Sequence, residues 1–479
     1  MKVLFVTPEA APFAKTGGLG DVAGSLPAAL NKKRAYTRVM MPLYQAVSEQ
    51  WRAQMTFEKY FYVWLGWRRL YCGIFKLKHE GTVYYFIDNE YYFKRPSLYG
   101  HFDDAERFAF FSRAAAQAIT ELDWVPDVVH CNDWQTALVP IYMKDLSDAF
   151  PQLAAIKTVF TIHNTEYQGQ YGTEILGDVF GLNEGWFHGG ILAFSGDINL
   201  MKGAIVASDA VTTVSPTYAK ELQHGFYARG LETVFQANEN KLSGILNGID
   251  QTVYDPKADP RIFAGYTAAD MAGKAENKKE LQHILGLKED PDIPIIACVS
   301  RMVAHKGFDL ILGALSSIMW LDVQFVVLGT GEWSYEQAFK HSEGFDRSKL
   351  SVNITYSDEL AMRIYAGADI FLMPSRAEPC GLSQMIAMRY GTVPVVRETG
   401  GLKDTVLPYN AATGEGNGFT FANYTIEDMM HVLSNAVDTY RNNPEVWRGL
   451  QLAGMKTDFS WSASAGEYKK LYTALTGKK

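Results

Sequence analysis

Short runs of β-branched and aromatic residues alternate with stretches of helical length along this chain, and that rhythm limits the fold more than any other feature. VLFVT (3–7), TRVMMP (37–42), VYYFID (83–88), DVVHCND (127–133), TVFTIHN (158–164) and AVTTVS (210–215) form a first series. IPIIACVSR (293–301), VQFVVLG (323–329), SVNITY (351–356), DIFLMPS (369–375) and TVPVVRE (392–398) form a second. Strands separated by helix-length segments are joined by crossovers into parallel sheets. The expectation is an α/β chain made of two doubly wound sheets.

A length of 479 residues agrees, being ample for a large buried core and too long for one compact domain. Residues 251–292 are rich in Asp, Pro, Lys and Ala, with YDPKADP near the start and KEDPDIP at the end, and read as a linker followed by the first helix of the second domain. The division is expected near LSGILNGID (242–250), giving domains 1–245 and 246–457. The last segment, 458–479, reads as a helix that can join either half. The aromatic region 56–93 reads as antiparallel hairpin strands decorating the first domain. T-G-G-L-x-D occurs at 16–21 and again at 399–404, which suggests two matching halves. Open α/β sheets bind ligands at the carboxyl ends of their strands, so two sheets facing each other would share one cleft.

The formal net charge of −8 gives no general attraction to nucleic acid or an anionic membrane surface. Cys72, Cys131, Cys298 and Cys380 are scattered without C-x-x-C spacing, which argues against a zinc site or a disulfide framework and fits a reducing cytoplasm. The start, MKVLFVTPE, has no signal-peptide pattern, and no apolar run reaches the roughly 18 residues of a membrane span. No metal site and no membrane or nucleic-acid partner are expected.

Several segments following strands can carry chemistry. In KTGGLGDV (15–22), glycines let the backbone approach a ligand and expose helix N-terminal N–H groups, with Lys15 adding a charge; the alternative is a tight strand-to-helix turn. It is not a dinucleotide fingerprint or a P-loop, which disfavours a dehydrogenase or an NTPase. In SRMVAHKGFD (300–309), Arg301 and Lys306 can converge on a diphosphate, or they are solvated surface cations. In SRAEPCGLSQMIAMRYG (375–391), Glu378 can accept sugar hydroxyls beside the backbone N–H groups of Gly381, Leu382 and Ser383 at a helix start. Alternatively Glu378 caps a helix and Cys380 is a small buried residue. Asp133 and His163 end two strands of the first series, as functional or merely structural groups. Asn247, in N-G, is a turn former or a cleft residue.

Taken in order, KTGGLGDV, TIHN, LNGID, SRMVAHKG and EPCGLSQMIAMRYG resemble the bacterial glycogen synthase and plant starch synthase family, along almost the whole chain. The resemblance implies the GT-B architecture, with two Rossmann-like domains facing across a cleft and the last helix crossing back to the first. It implies retaining transfer of glucose from ADP-glucose to the non-reducing-end 4-hydroxyl of an α-1,4-glucan, glycogen or a maltooligosaccharide, with ADP released and no cofactor. By the same resemblance, Lys15, Gly17 and Gly18 meet the diphosphate from the first domain, and Arg301 and Lys306 from the second. Gly381, Leu382 and Ser383 assist through N–H groups, Glu378 holds glucose hydroxyls with Cys380 beside it, and Tyr356 stacks on adenine. His163, Asp133 and Asn247 become sugar-side groups, and Asp21 binds substrate or stabilises its loop. Two positions depart from the related pattern: Ile386 stands where related retaining transferases have a second Glu, and Ser383 where a Thr is expected. UDP-glucose is the alternative donor, and a non-catalytic glucan-binding protein the alternative class.

Overall fold

The computed structural model describes residues 1–341 and 346–478. Two compact units emerge: Met1–Gly248 joined by the helix Trp461–Thr476, and Ile249–Ser460.

Unit 1 is built on strands β1 (Lys2–Val6), β2 (Tyr36–Pro42), β3 (Thr56–Leu65), β4 (Arg68–His79), β5 (Thr82–Asp88), β6 (Val128–Asn132) and β7 (Lys157–Ile162). Strands β8 (Gln170–Tyr171), β9 (Ala193–Phe194) and β10 (Asp197–Asn199) form a small sheet of their own, and β11 (Ala210–Thr213) and β12 (Leu242–Gly244) complete the large one. The large sheet runs β12-β11-β7-β6-β1-β2-β5-β4-β3. From β5 to β12 every pairing is parallel, and the order reverses beside β1, where β2 lies on one side and β6 on the other. That reversal is the switch point at which an open α/β sheet leaves a crevice.

The aromatic region forms the expected antiparallel hairpin strands, and they extend the large sheet at its edge. β3 and β4 pair antiparallel, and β4 pairs antiparallel with β5. Along β3, Phe61, Val63 and Leu65 are buried whereas Tyr60, Tyr62 and Trp64 are exposed, the period-two pattern of an antiparallel strand with one wet face. The stretch NEYYF, expected as strand, instead forms a helical turn, Glu90–Phe93, capped by the Asn89 side chain on the Tyr92 N–H.

The helix Trp461–Thr476 is fixed to unit 1 by buried polar contacts. The Tyr472 hydroxyl meets His130 Nδ1 at 2.7 Å, and the Ser464 hydroxyl donates to the Leu246 carbonyl. Tyr468 and Tyr472 are buried with it, each aromatic contributing roughly 1.5–3 kcal/mol through lost apolar surface.

Unit 2 carries β13 (Ile295–Val299), β14 (Gln324–Leu328), β15 (Leu350–Asn353), β16 (Ile370–Met373), β17 (Val393–Arg397) and β18 (Phe419–Phe421), all parallel in the order β15-β14-β13-β16-β17-β18. Its switch point lies between β13 and β16. Strands β12 and β18 were outside the sequence series because three residues at a sheet edge leave too short an apolar run to register. The helix Ala272–Ile284 opens the second unit after the linker-like segment.

The repeated T-G-G-L-x-D does not mark matching halves. At 16–21 it follows the first strand of its sheet, and the helix Gly18–Lys32 begins on Gly17. At 399–404 it follows β17, the fifth strand of its sheet, and the helix Gly400–Thr405 begins on Thr399. The two loops share a local solution to a strand-to-helix turn at different places in the topology.

Candidate active site

At the switch point of unit 1, the loop after β1 is organised by a buried carboxylate. Glu9 accepts from the Thr16 N–H at 2.9 Å, the Thr16 hydroxyl at 2.7 Å, the Gly20 N–H at 2.8 Å and the Tyr99 hydroxyl at 3.1 Å. Gly17 caps the helix that Gly18 opens, so the N–H groups of Gly18 and Leu19 have no acceptor within the helix. A Cβ added at Gly18 would meet nothing within 4 Å, so the surface over it is open. Lys15 rises beside it, and its ammonium contacts Asp21 at 2.8 Å, with both side chains about half exposed.

The ends of β6 and β7 are joined by side chains. Asp133 follows β6 with φ +55°, a left-handed conformation that is uncommon for a residue with a Cβ. Its carboxylate accepts the His163 N–H at 2.7 Å and the Asn164 N–H. Burial lifts its pKa to about 7, against the lowering effect of those two N–H groups and with a further rise from Glu9. Burial drives His163 down to about 3, so its imidazole is neutral. His163 Nε2 meets Asn132 Oδ1 at 3.0 Å. Asn247 contributes a buried Oδ1 that has no partner among the described residues.

At the switch point of unit 2, the loops after β13 and β16 meet. Gly307 has φ +80°, and a Cβ there would lie 2.1 Å from the Pro374 carbonyl oxygen, so only glycine permits this approach. The approach carries Lys306 to Glu378, with Nζ 2.7 Å from both carboxylate oxygens and both side chains largely buried. Ser375 donates a further hydrogen bond to Glu378 at 3.1 Å. Arg301 is exposed on the same loop, its guanidinium without a partner among the described residues.

Next to this pair, Gly381 has φ +72° and Leu382 precedes the helix Ser383–Arg389. The Ser383 hydroxyl bonds to Tyr365. Buried Gln384 donates to the carbonyls of Cys380 and Gly381, holding the loop from below, and Cys380 is itself buried. Gly400 and Gly401 close in on the other side, where added Cβ atoms would lie 2.0 Å from the Glu378 carbonyl and 2.1 Å from that of Cys380. Tyr356 stands apart, after β15 and 78% exposed, its hydroxyl on Asp358. Ile386 is buried and offers no polar group.

The structure therefore gathers Lys15, Gly17, Gly18 and Asp21 in one place, Asp133 with His163 in a second, and Lys306 with Glu378 beside Cys380 to Ser383 in a third. Sequence reasoning missed Glu9, Asn132, Ser375 and Gly307. The available signal was positional: each lies at the end of, or in the loop after, a strand flanking a switch point.

Residues 2–237 match the family model described as Starch synthase catalytic domain, and residues 277–445 that described as Glycosyl transferases group 1. With these matches, the two parallel-sheet units are those of a GT-B glycosyltransferase. The catalytic domain of starch synthase IV from Arabidopsis thaliana, bound to ADP and acarbose, is similar at a TM-score of 0.90 and 35% identity, with 99% of both chains covered. Sucrose-phosphate synthase from Thermosynechococcus elongatus, at a TM-score of 0.61 and 16% identity, shares the fold. Glycogen synthases of Geobacillus thermodenitrificans and Geobacillus stearothermophilus are each 48% identical over 100% of this chain and 99% of their own. The chain belongs to the glycogen and starch synthase family. Among the described residues, no helix is long and apolar enough to cross a membrane.

Proposed function

We propose that this protein transfers glucose from ADP-glucose to the non-reducing-end 4-hydroxyl of an α-1,4-glucan, with retention at the anomeric carbon and release of ADP. The observation that carries this reading is the Lys306–Glu378 pair at the switch point of unit 2. A sugar diphosphate needs a cation for its phosphates and an acceptor for its sugar hydroxyls, side by side. Lys306 directs two of its three N–H groups at Glu378 and keeps one for a phosphate oxygen. Glu378 retains lone pairs for glucose hydroxyls, and Arg301 brings a planar fork suited to the same diphosphate.

Lys15 and the N–H groups of Gly17 and Gly18 serve the diphosphate from unit 1. The Lys15–Asp21 contact does not oppose this role, because an exposed ion pair contributes at most about 1 kcal/mol and exchanges readily for a phosphate. Asp21 then holds Lys15 ready when no donor is bound. Gly381, Leu382 and Ser383 add N–H groups at the start of their helix, Tyr356 stacks on adenine, and Cys380 lines the wall beside Glu378. On the sugar side, Asn247 supplies a buried oxygen whose missing hydrogen bond costs about 1–3 kcal/mol until a hydroxyl occupies it. His163 and Asp133 border the reacting sugar, with His163 a neutral acceptor of hydroxyl protons.

Negative charge grows on the diphosphate as it leaves. Cations fixed in advance there stabilise the transition state more than the ground state, at roughly 1.5–3 kcal/mol for each charge-assisted hydrogen bond. No carboxylate among the proposed groups is assigned to attack the anomeric carbon, so the acceptor hydroxyl enters on the face the diphosphate leaves. The reaction uses no cofactor, because the nucleotide sugar is consumed as substrate, and a cytoplasmic setting belongs to the same reading. Incubation with glycogen and either ADP-glucose or UDP-glucose tests it, with release of nucleoside diphosphate as the readout. Faster turnover of UDP-glucose overturns the donor assignment, and glycogen binding without ADP release overturns the enzyme assignment. A glycosylated Asp or Glu trapped on the protein would remove the front-face step.

A further inference from the structure

We infer that Asn132 is a positioning residue that fixes the tautomer of His163, leaving Nδ1 as a bare acceptor at the switch point of unit 1. The inference rests on the proposed sugar-side role of His163 for its functional meaning, and its physical content on the geometry around a neutral ring. Asn132 is fully buried at the end of β6. Its Nδ2 donates to the Val6 carbonyl at 3.0 Å and lies 3.5 Å from the His130 carbonyl. Both neighbours are acceptors only, so the amide cannot be reversed without setting oxygen against oxygen. Its Oδ1 is therefore the atom 3.0 Å from His163 Nε2. An oxygen without a proton demands a donor, so Nε2 carries the hydrogen and Nδ1 carries the lone pair.

The backbone of His163 is held separately. Its N–H donates to Asp133, the residue after Asn132. Two consecutive residues at the end of β6 thus grip one residue at the end of β7, one by its main chain and one by its ring. Nδ1 has no hydrogen-bond partner among the described residues, and His163 is partly accessible. The ring can therefore accept a hydroxyl proton with Nδ1 while Nε2 stays engaged, and it need not choose between tautomers when substrate arrives. The signal is legible in HCNDW only after β6 and β7 are known to be neighbours.

The test uses the full chain labelled with 15N-histidine and long-range 1H–15N spectra of the imidazoles, with His163→Ala identifying the resonances of His163. The expected result is a neutral Nε2–H ring at pH 7 without any substrate present. A neutral Nδ1–H ring would overturn the inference whether or not the protein turns over ADP-glucose. Two variants separate positioning from bulk packing. Asn132→Asp, whose second oxygen holds a proton to face the Val6 carbonyl, keeps an acceptor for Nε2–H and is expected to keep the tautomer. Asn132→Leu removes it, and is expected to give a mixture of tautomers and a loss of kcat on the order of tenfold, with KM for ADP-glucose within about twofold. Equal tautomer populations in the Asp and Leu variants would sink the idea, as would an unchanged kcat in a folded Leu variant whose ring has lost its preference.

Discussion

The two switch points use the same backbone layout with different electrostatics. In unit 2 the crevice beside β13 and β16 holds formal charges, with Lys306 on Glu378 and Arg301 exposed nearby. In unit 1 the crevice beside β1 and β6 is mixed: Lys15 and Asp21 keep an exposed ion pair in the loop after β1, whereas at the ends of β6 and β7 His163 is uncharged and the pKa of Asp133 is raised to about 7. Strand order sets where a ligand can sit, and the residues that follow each strand decide what it is. A charged pocket suits a departing diphosphate, and a neutral hydrogen-bonding one suits sugar hydroxyls.

Removing charge should hurt unit 2 most. Lys306→Ala is expected to lower kcat by roughly 10²–10³-fold, the scale of losing one preorganised electrostatic contact. It also leaves the Glu378 carboxylate buried without its counter-charge, a loss of about 3–5 kcal/mol in stability. Adding Glu378→Gln to that variant should recover much of the stability and none of the activity, as read from urea unfolding beside ADP release. Recovery of both would mean that the pair is structural and that the comparison between the units is misdrawn.

The two glycine loops provide the next test, since they share a sequence and differ in surroundings. Gly401→Ala would press a methyl group to 2.1 Å from a backbone carbonyl and should lower stability by about 2 kcal/mol or more. Gly18→Ala meets open space at a helix start and should leave the melting temperature unchanged or raise it slightly, while raising KM for the donor. Similar loss of stability in both variants would show that the loops serve one structural role.

This contrast also explains which parts of the molecule the sequence made legible. Long buried strands such as β6, β7 and β14 announce themselves, because several consecutive apolar residues are required locally. The pairing Lys306–Glu378 spans 72 residues and depends on Gly307 allowing two loops to meet, a condition that no local pattern encodes. Glu9 was invisible for a related reason: an acid after T-P looks like a solvated turn until four donors are seen to converge on it. The repeat at 16–21 and 399–404 misled because a strand-to-helix turn selects the same residues wherever it falls in the topology.

A pH titration sharpens the neutral character at the ends of β6 and β7. Asp133 has a native pKa of about 7, above its unfolded value, so between about pH 4 and pH 7 the folded state holds a proton that the unfolded state has released. Its contribution to stability is present below that window and is lost as pH rises through it. Asp133→Asn removes this loss, so the variant should gain stability relative to the native chain between pH 5 and pH 7.5, by about 1–3 kcal/mol after allowance for solvent screening. His163 runs the other way. Its native pKa of about 3 lies below the unfolded value, so its contribution is present above about pH 6.5 and fades as pH falls. Denaturant midpoints across pH for Asp133→Asn and His163→Ala should therefore tilt in opposite directions relative to the native chain, and parallel curves would contradict the assigned environments.

The smallest expected effect lies at Tyr356, an exposed residue of the proposed donor site. Tyr356 is 78% exposed, so Tyr356→Ala removes little buried surface and should leave the melting temperature within about a degree. If its ring stacks on adenine, the loss appears only when the nucleotide is bound, as a rise of about fivefold or more in KM for ADP-glucose, since one aromatic–base contact contributes about 1–3 kcal/mol. Tyr356→Phe keeps the ring, loses the exposed hydrogen bond to Asp358, and should behave as the native chain. The decisive reading is the ratio between donors: stacking on a purine should make the Ala variant lose more with ADP-glucose than with UDP-glucose, and an equal loss with both would assign Tyr356 to something other than the base.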